Sequence, residues 1–312
     1  KVSLAFIQQT NIELARVKAL AIGKMNGEKH DEEYDEEDAV EQEECKKTVD
    51  EIEFSQLTLI DCLGQLIRHN RNLFNEKFSE EILHYYLTLL KSHQGEFQRA
   101  DQFQIVGYPV CDLFEFFSPD HPAVAILLDE MIIPLLEYGA GHTSHACRHT
   151  VSYGIGVFAK TAKKETFIQY QDKLLEILKK AGKLLLSFSS PYMIDNWVDL
   201  SKNTKLLLDQ IGAAYGKILK YKPDTIHQSA IVNEWLRYLP LKADETEMQE
   251  QHEFLADLVL GPKFEILCGE NESRKPLITQ KIKEVRERSE SIKDQGVRRQ
   301  IENAYLKLTK TE

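Results

Sequence analysis

Apolar residues in this chain recur at spacings of three and four and almost nowhere at two, as in YQDKLLEILKKAGKLLLSF at 170–188. That period places them on one face of a helix, whereas a half-buried strand requires alternation, so an all-α fold is expected. A small residue also returns in a similar apolar setting. It is Gly64 in LGQLI, Gly107 in VGYPV, Gly156 in IGVFA and Gly216 in YGKIL. Ala256 in LADLV and Ala304 in NAYLKL complete the series, at steps of 43, 49, 60, 40 and 48 residues. A glycine inside a helix costs about 1 kcal/mol relative to alanine, so its recurrence calls for a reason, and close approach of a neighbouring helix supplies one.

Each of these positions falls in the second of two amphipathic helices. The pairs expected are 2–26 with 46–70, 78–93 with 97–117, 120–139 with 143–162, 166–187 with 200–221, 225–239 with 244–260, and 273–288 with 292–309. A helical-hairpin period of about 40–47 residues is that of HEAT and armadillo arrays, which predicts a solenoid of about six hairpins over residues 1–312. Pro109 falls within one helix and is expected to kink it. The pattern is already periodic at Lys1, so the chain is expected to be a piece of a longer one.

The net charge of −11 is concentrated in one place. Residues 28–44, EKHDEEYDEEDAVEQEE, hold eleven acidic side chains and one lysine, leaving 38 basic and 39 acidic residues elsewhere. A near-neutral body gives no electrostatic case for nucleic-acid binding. The acidic run lies within the first hairpin and is expected to be a flexible insertion at about 27–46, solvated because like charges at this density do not pack. Its candidate partner-binding residues are Asp31, Glu32, Glu33, Asp35, Glu36, Glu37, Asp38, Glu41, Glu43 and Glu44, for a partner rich in Lys and Arg. The run departs from the calcium-loop pattern and lacks its turn glycine.

No stretch carries a complete catalytic motif. YGIG at 153–156 has no GxGxxG continuation, and no Walker or GxSxG sequence occurs. His142, His145 and His149 share spacings that suit a metal on one helix face, but no HExxH glutamate accompanies them. Exposed helix-start histidines are the commoner case, so neither a metal nor a cofactor is expected, and the chain is read as no enzyme. The five cysteines lack CxxC spacing. The most apolar run, 123–139, is broken by Asp129, Glu130 and Pro134, which argues against a membrane span.

Several segments resemble nuclear import receptors of the importin-β (karyopherin-β) family. ACRHTVSYGIGVFAKTA at 146–162 is similar to the inner helix of one of its HEAT repeats. NTKLLLDQIGAAYGKILKYKPDTI at 203–226, with WLRYLPLKADETEMQEQHEFLADLVLGP at 235–262, resembles the C-terminal region of the importin-5-like branch. TVDEIEFSQLTLIDCLGQLI at 48–67, preceded by an acidic insertion, matches that branch as well. The resemblance implies a right-handed superhelix of HEAT repeats with the second helices lining a concave face. It implies three kinds of partner: basic cargo such as localisation signals, histones or ribosomal proteins; Ran-GTP, whose main site lies in earlier repeats; and phenylalanine-glycine nucleoporins. Residence in cytoplasm and nucleus follows, with shuttling through nuclear pores. Two inner-helix positions carry over by resemblance, Arg148 and Asn203, as candidates on the concave face. Arg148 is more often a link between adjacent repeats. A HEAT scaffold subunit of another complex is the alternative reading.

Overall fold

The structure, a computed structural model, describes residues 36–92, 100–117, 123–186, 200–223 and 228–310, with isolated positions between 9 and 20 and at 121. The described residues are 87% helical and include no strand, as the spacing of apolar residues predicts. No helix among the described residues is long and apolar enough to cross a membrane. The chain divides into two compact units, Lys1–Ser118 and Pro119–Glu312.

In the N-terminal unit, helix α1 runs from Glu36 to His69. It is followed by α2 (Arg71–Lys77), α3 (Ser79–Ser92) and α4 (Ala100–Phe116). Helix α4 packs on α1 and α3, burying Ile60, Leu63, Ile67, Phe103, Val106 and Val110. Short α2 was not anticipated. Its Arg71 donates to the carbonyls of Phe116 (3.0 Å) and Phe117 (3.2 Å), satisfying the orphan acceptors at the end of α4 with a cation at the negative end of the helix dipole. Helix α4 continues through Pro109.

The beginning of α1 corrects one expectation. Residues 28–35 lie outside the described residues, but Glu36–Glu44 is helical rather than a loop. Glutamate, glutamine and alanine are good helix formers, and negative charge is favoured at a helix N-terminus. Solvation and helicity are compatible, and Val40, Glu43 and Glu44 are exposed.

The C-terminal unit opens with α5 (Ala123–Ile126), which passes through a π-helical segment, Leu127–Ile132, into α6 (Ile133–Ala140). Pro134 has no N–H and crowds the preceding turn; the wider π turn accommodates that break. Then come α7 (His145–Thr161), α8 (Lys164–Leu186), α9 (Lys202–Tyr221), α10 (Gln228–Tyr238) and α11 (Glu245–Leu260). Short α12 (Phe264–Cys268), α13 (Lys275–Glu287) and α14 (Gln295–Thr309) complete the unit. The second helices pack in succession, α7 on α9, α9 on α11 and α11 on α14. Arg274, just before α13, ties α10 to α12, donating to Asn233 Oδ1 (2.6 Å) and to the carbonyls of Ser229 (3.3 Å) and Leu267 (3.2 Å).

Candidate interaction surfaces

Each second helix of the C-terminal unit starts from a side-chain cap. Ser144 accepts from Ala146 N (3.2 Å), Ser201 from Thr204 N (3.2 Å), Asp244 from Thr246 and Glu247 N (both 3.0 Å), and Asp294 from Val297 N (3.1 Å). A cap of this kind contributes about 1 kcal/mol and fixes where the helix begins. The caps recur in step with the small residues and reinforce the hairpin pattern.

The small residues sit where helices come close. A Cβ on Gly156 of α7 would meet Lys217 Cδ of α9 at 3.0 Å. A Cβ on Gly216 of α9 would fall 1.7 Å from Gln251 Oε1 of α11 and 2.6 Å from Trp235 Nε1 of α10. Ala256 and Ala304 are completely buried. The glycine reading of the sequence therefore holds at Gly156 and Gly216: they allow neighbouring helices to approach.

Around this contact lies a polar layer that hydropathy patterning did not reveal. Lys217 and Glu247 form a buried ion pair. Trp235 Nε1 donates to Gln251 Oε1 at 3.1 Å. Asp209, 1% exposed, accepts from the backbone N–H groups of Lys242 (2.9 Å), Ala243 (2.5 Å) and Asp244 (2.9 Å), fixing the turn that leads into α11. His252 is fully buried, and its Nε2 accepts from Leu241 N at 3.1 Å. These groups read as single polar residues on apolar faces; only their partners, 11 to 35 positions away, reveal them as ties, Trp235 and His252 within one hairpin and Lys217 and Asp209 across to the next.

Burial, and then the nearby Arg288 cation, pushes the His252 imidazole down to about 3. The ring is neutral when folded and protonates in the unfolded chain near 6.5, so its contribution is present above about pH 6.5 and is lost as pH falls. The wild type is expected to lose about 2 kcal/mol from this group between neutral pH and about pH 5, since each pH unit below the unfolded value costs about 1.4 kcal/mol. Urea unfolding at both pH values checks this. His252→Gln, which keeps an acceptor for Leu241 N–H, removes that part of the slope.

The candidate residues separate in space. Arg148 is 2% exposed, and its guanidinium donates to Ala181 O of α8 and Thr143 O, both at 3.3 Å. The buried side chain links α7 to α8 of the next hairpin, the structural role that the sequence sets beside the concave-face one. Asn203 is exposed in the first turn of α9. Of the acidic residues, Asp31, Glu32, Glu33 and Asp35 lie outside the described residues, and Glu36, Glu37, Asp38, Glu41, Glu43 and Glu44 lie on α1.

The three histidines do not converge. His142 Nδ1 accepts from Ser144 N (3.0 Å), and His145 Nδ1 is 2.9 Å from Thr204 Oγ1 of α9. Burial lowers the affinity of His149 for a proton, with Asp244 opposing. Among the described residues no three His, Cys, Asp or Glu side chains are grouped to hold a metal ion. Trp235 is fully buried. No family model matches the chain.

Proposed function

We propose that the chain is part of a nuclear transport receptor built as a HEAT-repeat solenoid, binding basic cargo for Ran-dependent import. The observation that carries this reading is the ordered packing of capped second helices, α7 on α9, α9 on α11 and α11 on α14. In this reading the second helices stand side by side, and their first turns, exposed at Lys202 and Asn203 of α9 and at Glu245 and Thr246 of α11, meet an extended chain. Asn203 is exposed at the start of α9, and in this reading its amide, which both donates and accepts, pairs with a bound backbone. The protein acts by binding, without catalytic chemistry or cofactor. Its partners in this reading are basic cargo, Ran-GTP and phenylalanine-glycine nucleoporins, encountered as it shuttles between cytoplasm and nucleus.

Pull-down of the full-length protein with and without Ran-GTP tests the proposal. Basic cargo is expected to be retained without Ran-GTP and released with it. Cargo retained equally in both conditions would favour a HEAT scaffold with no transport role.

The acidic stretch supplies the long-range field, because the remainder of the chain is near neutral. Replacing the Asp and Glu residues of 31–44 by Asn and Gln is expected to leave thermal stability nearly unchanged. Association with a basic cargo peptide slows at low salt, and the difference fades above about 0.5 M, where screening acts within a few Å. Stopped-flow association rates check this, and equal rates at low salt would leave the stretch only a solubilising role. A faster rate in the neutralised chain would mean that the stretch blocks the cargo surface.

A further inference from the structure

The turn between α6 and α7, residues 141–144, lies in a positively charged corner that the proposed function leaves unused. The segment from Gly139 to His149 contains no acidic residue. Arg148, in the first turn of α7, is 2% exposed, and its guanidinium holds Thr143 O of the turn and Ala181 O of α8. Its Nε is buried without an acceptor, and among the described residues no carboxylate pairs with it. A second cation comes from α8, beside Ala181. The Lys180 ammonium lies so close to Gly141 that a Cβ there would meet Nζ at 3.0 Å. Lys180 is exposed and, among the described residues, forms no ion pair. Glu176, one turn before it on α8, is not bonded to it, and Glu137 of α6 is taken by Lys173 at 2.9 Å. His142 completes the corner. Its Nδ1 accepts from Ser144 N at 3.0 Å, so the neutral ring carries its proton on Nε2, and that N–H has no acceptor among the described residues. Burial, and then the charge of Arg148, keep the imidazole below the usual histidine range.

We propose that this corner binds a phosphate group, seated between the Lys180 ammonium and His142 Nε2–H with the Arg148 charge behind it. A buried guanidinium without a counter-ion is costly, and an anion at the mouth of the corner supplies one. The positive end of the α7 dipole acts in the same direction. Carbonyls at the end of α6 do not replace the anion, because Tyr138 O and Gly139 O already accept from Gly141 N and His142 N. Two cations and a helix N-terminus suit a dianion better than a single carboxylate. The net charge of −11 repels anions from the chain as a whole, so binding of one has to be local. The proposal is independent of the transport reading, whose cargo is basic.

The whole chain tests the site at low salt with three probes: inorganic phosphate, a labelled glycine-alanine peptide carrying one phosphoserine, and the same peptide with serine. Lys180→Met removes the ammonium. His142→Asn keeps an acceptor for Ser144 N–H and removes the Nε2 donor. Lys263→Met, at an exposed lysine just before α12, controls for net charge. Circular dichroism and thermal unfolding establish that these variants fold. In fluorescence anisotropy the phosphoserine peptide is expected to bind at least about tenfold more tightly than the serine peptide, and Lys180→Met to remove about that factor. His142→Asn weakens binding about threefold, as for one lost hydrogen bond. Inorganic phosphate displaces the peptide. Weaker binding of the free ion than of the peptide identifies a phosphorylated protein as the source, and equal binding identifies the free ion; both support the site. On the unchanged chain, NMR titration with inorganic phosphate is expected to move the ring resonances of His142 and leave those of His84, exposed on α3, in place. The proposal is overturned if neither phosphate probe binds, or if phosphate leaves the His142 resonances unmoved. It is equally overturned if Lys263→Met weakens binding as much as Lys180→Met, or if a peptide with aspartate in place of phosphoserine binds as tightly.

Discussion

Replacing Gly216 by alanine is expected to destabilise the C-terminal unit by about 2 kcal/mol, although alanine is the better helix former. The added methyl would lie 1.7 Å from Gln251 Oε1, which is itself held by Trp235 Nε1 at 3.1 Å. Gln251 and Trp235 are both fully buried, so neither withdraws freely. The side chain that yields breaks the Trp235–Gln251 bond and leaves a buried indole N–H without its acceptor, adding about 1–3 kcal/mol. The gain in helix propensity, about 1 kcal/mol, offsets part of this. Gly156→Ala is the control: its methyl meets the flexible stem of Lys217 at 3.0 Å, and the propensity gain leaves it near neutral. Urea unfolding of the two variants beside the wild type checks the contrast.

Asp209→Ala is expected to cost about 3 kcal/mol, the other large effect. It removes the acceptor of three backbone N–H groups in the turn before α11, and unsatisfied donors of this kind cost about 1–3 kcal/mol each when buried. Asp209→Asn retains one carbonyl oxygen and should cost about half as much. Burial pushes the carboxyl up to about 6, against the pull of the three N–H donors. A raised acid is favoured in its protonated form by folding, so the associated stability is full below about pH 4 and is lost as pH rises through about 6. The gap between wild type and Asp209→Asn is therefore widest near pH 4 and narrows toward neutrality. Thermal unfolding across that range measures it.

The helices were legible because their apolar faces are long and periodic. From α7 to α11, and in α13 and α14, the observed ends fall within a few residues of those expected, and Ser144, Ser201, Asp244 and Asp294 mark the starts of α7, α9, α11 and α14 chemically; short α12 was not expected. The acidic stretch was misread in its second half because charge density speaks to solvation, not to backbone conformation. Glu36–Glu44 satisfies both by being helical. For Arg148 the sequence left two roles open, for a different reason. A cation on an inner helix reads as a surface group until its acceptors are known, and Ala181 O is 33 residues away. The same distance problem hid Asp209, whose partners lie in the next hairpin, and His252, whose partner Leu241 sits in the turn 11 residues earlier.

Small-angle X-ray scattering of the chain in solution tests the repeat-array reading most directly. A compact globule of 312 residues has a radius of gyration of about 20 Å. The proposed array predicts a clearly larger value, with a distance distribution that peaks early and falls away in a long tail. A value near 20 Å with a symmetric distribution would contradict the solenoid, and with it the row of second helices on which the transport reading depends.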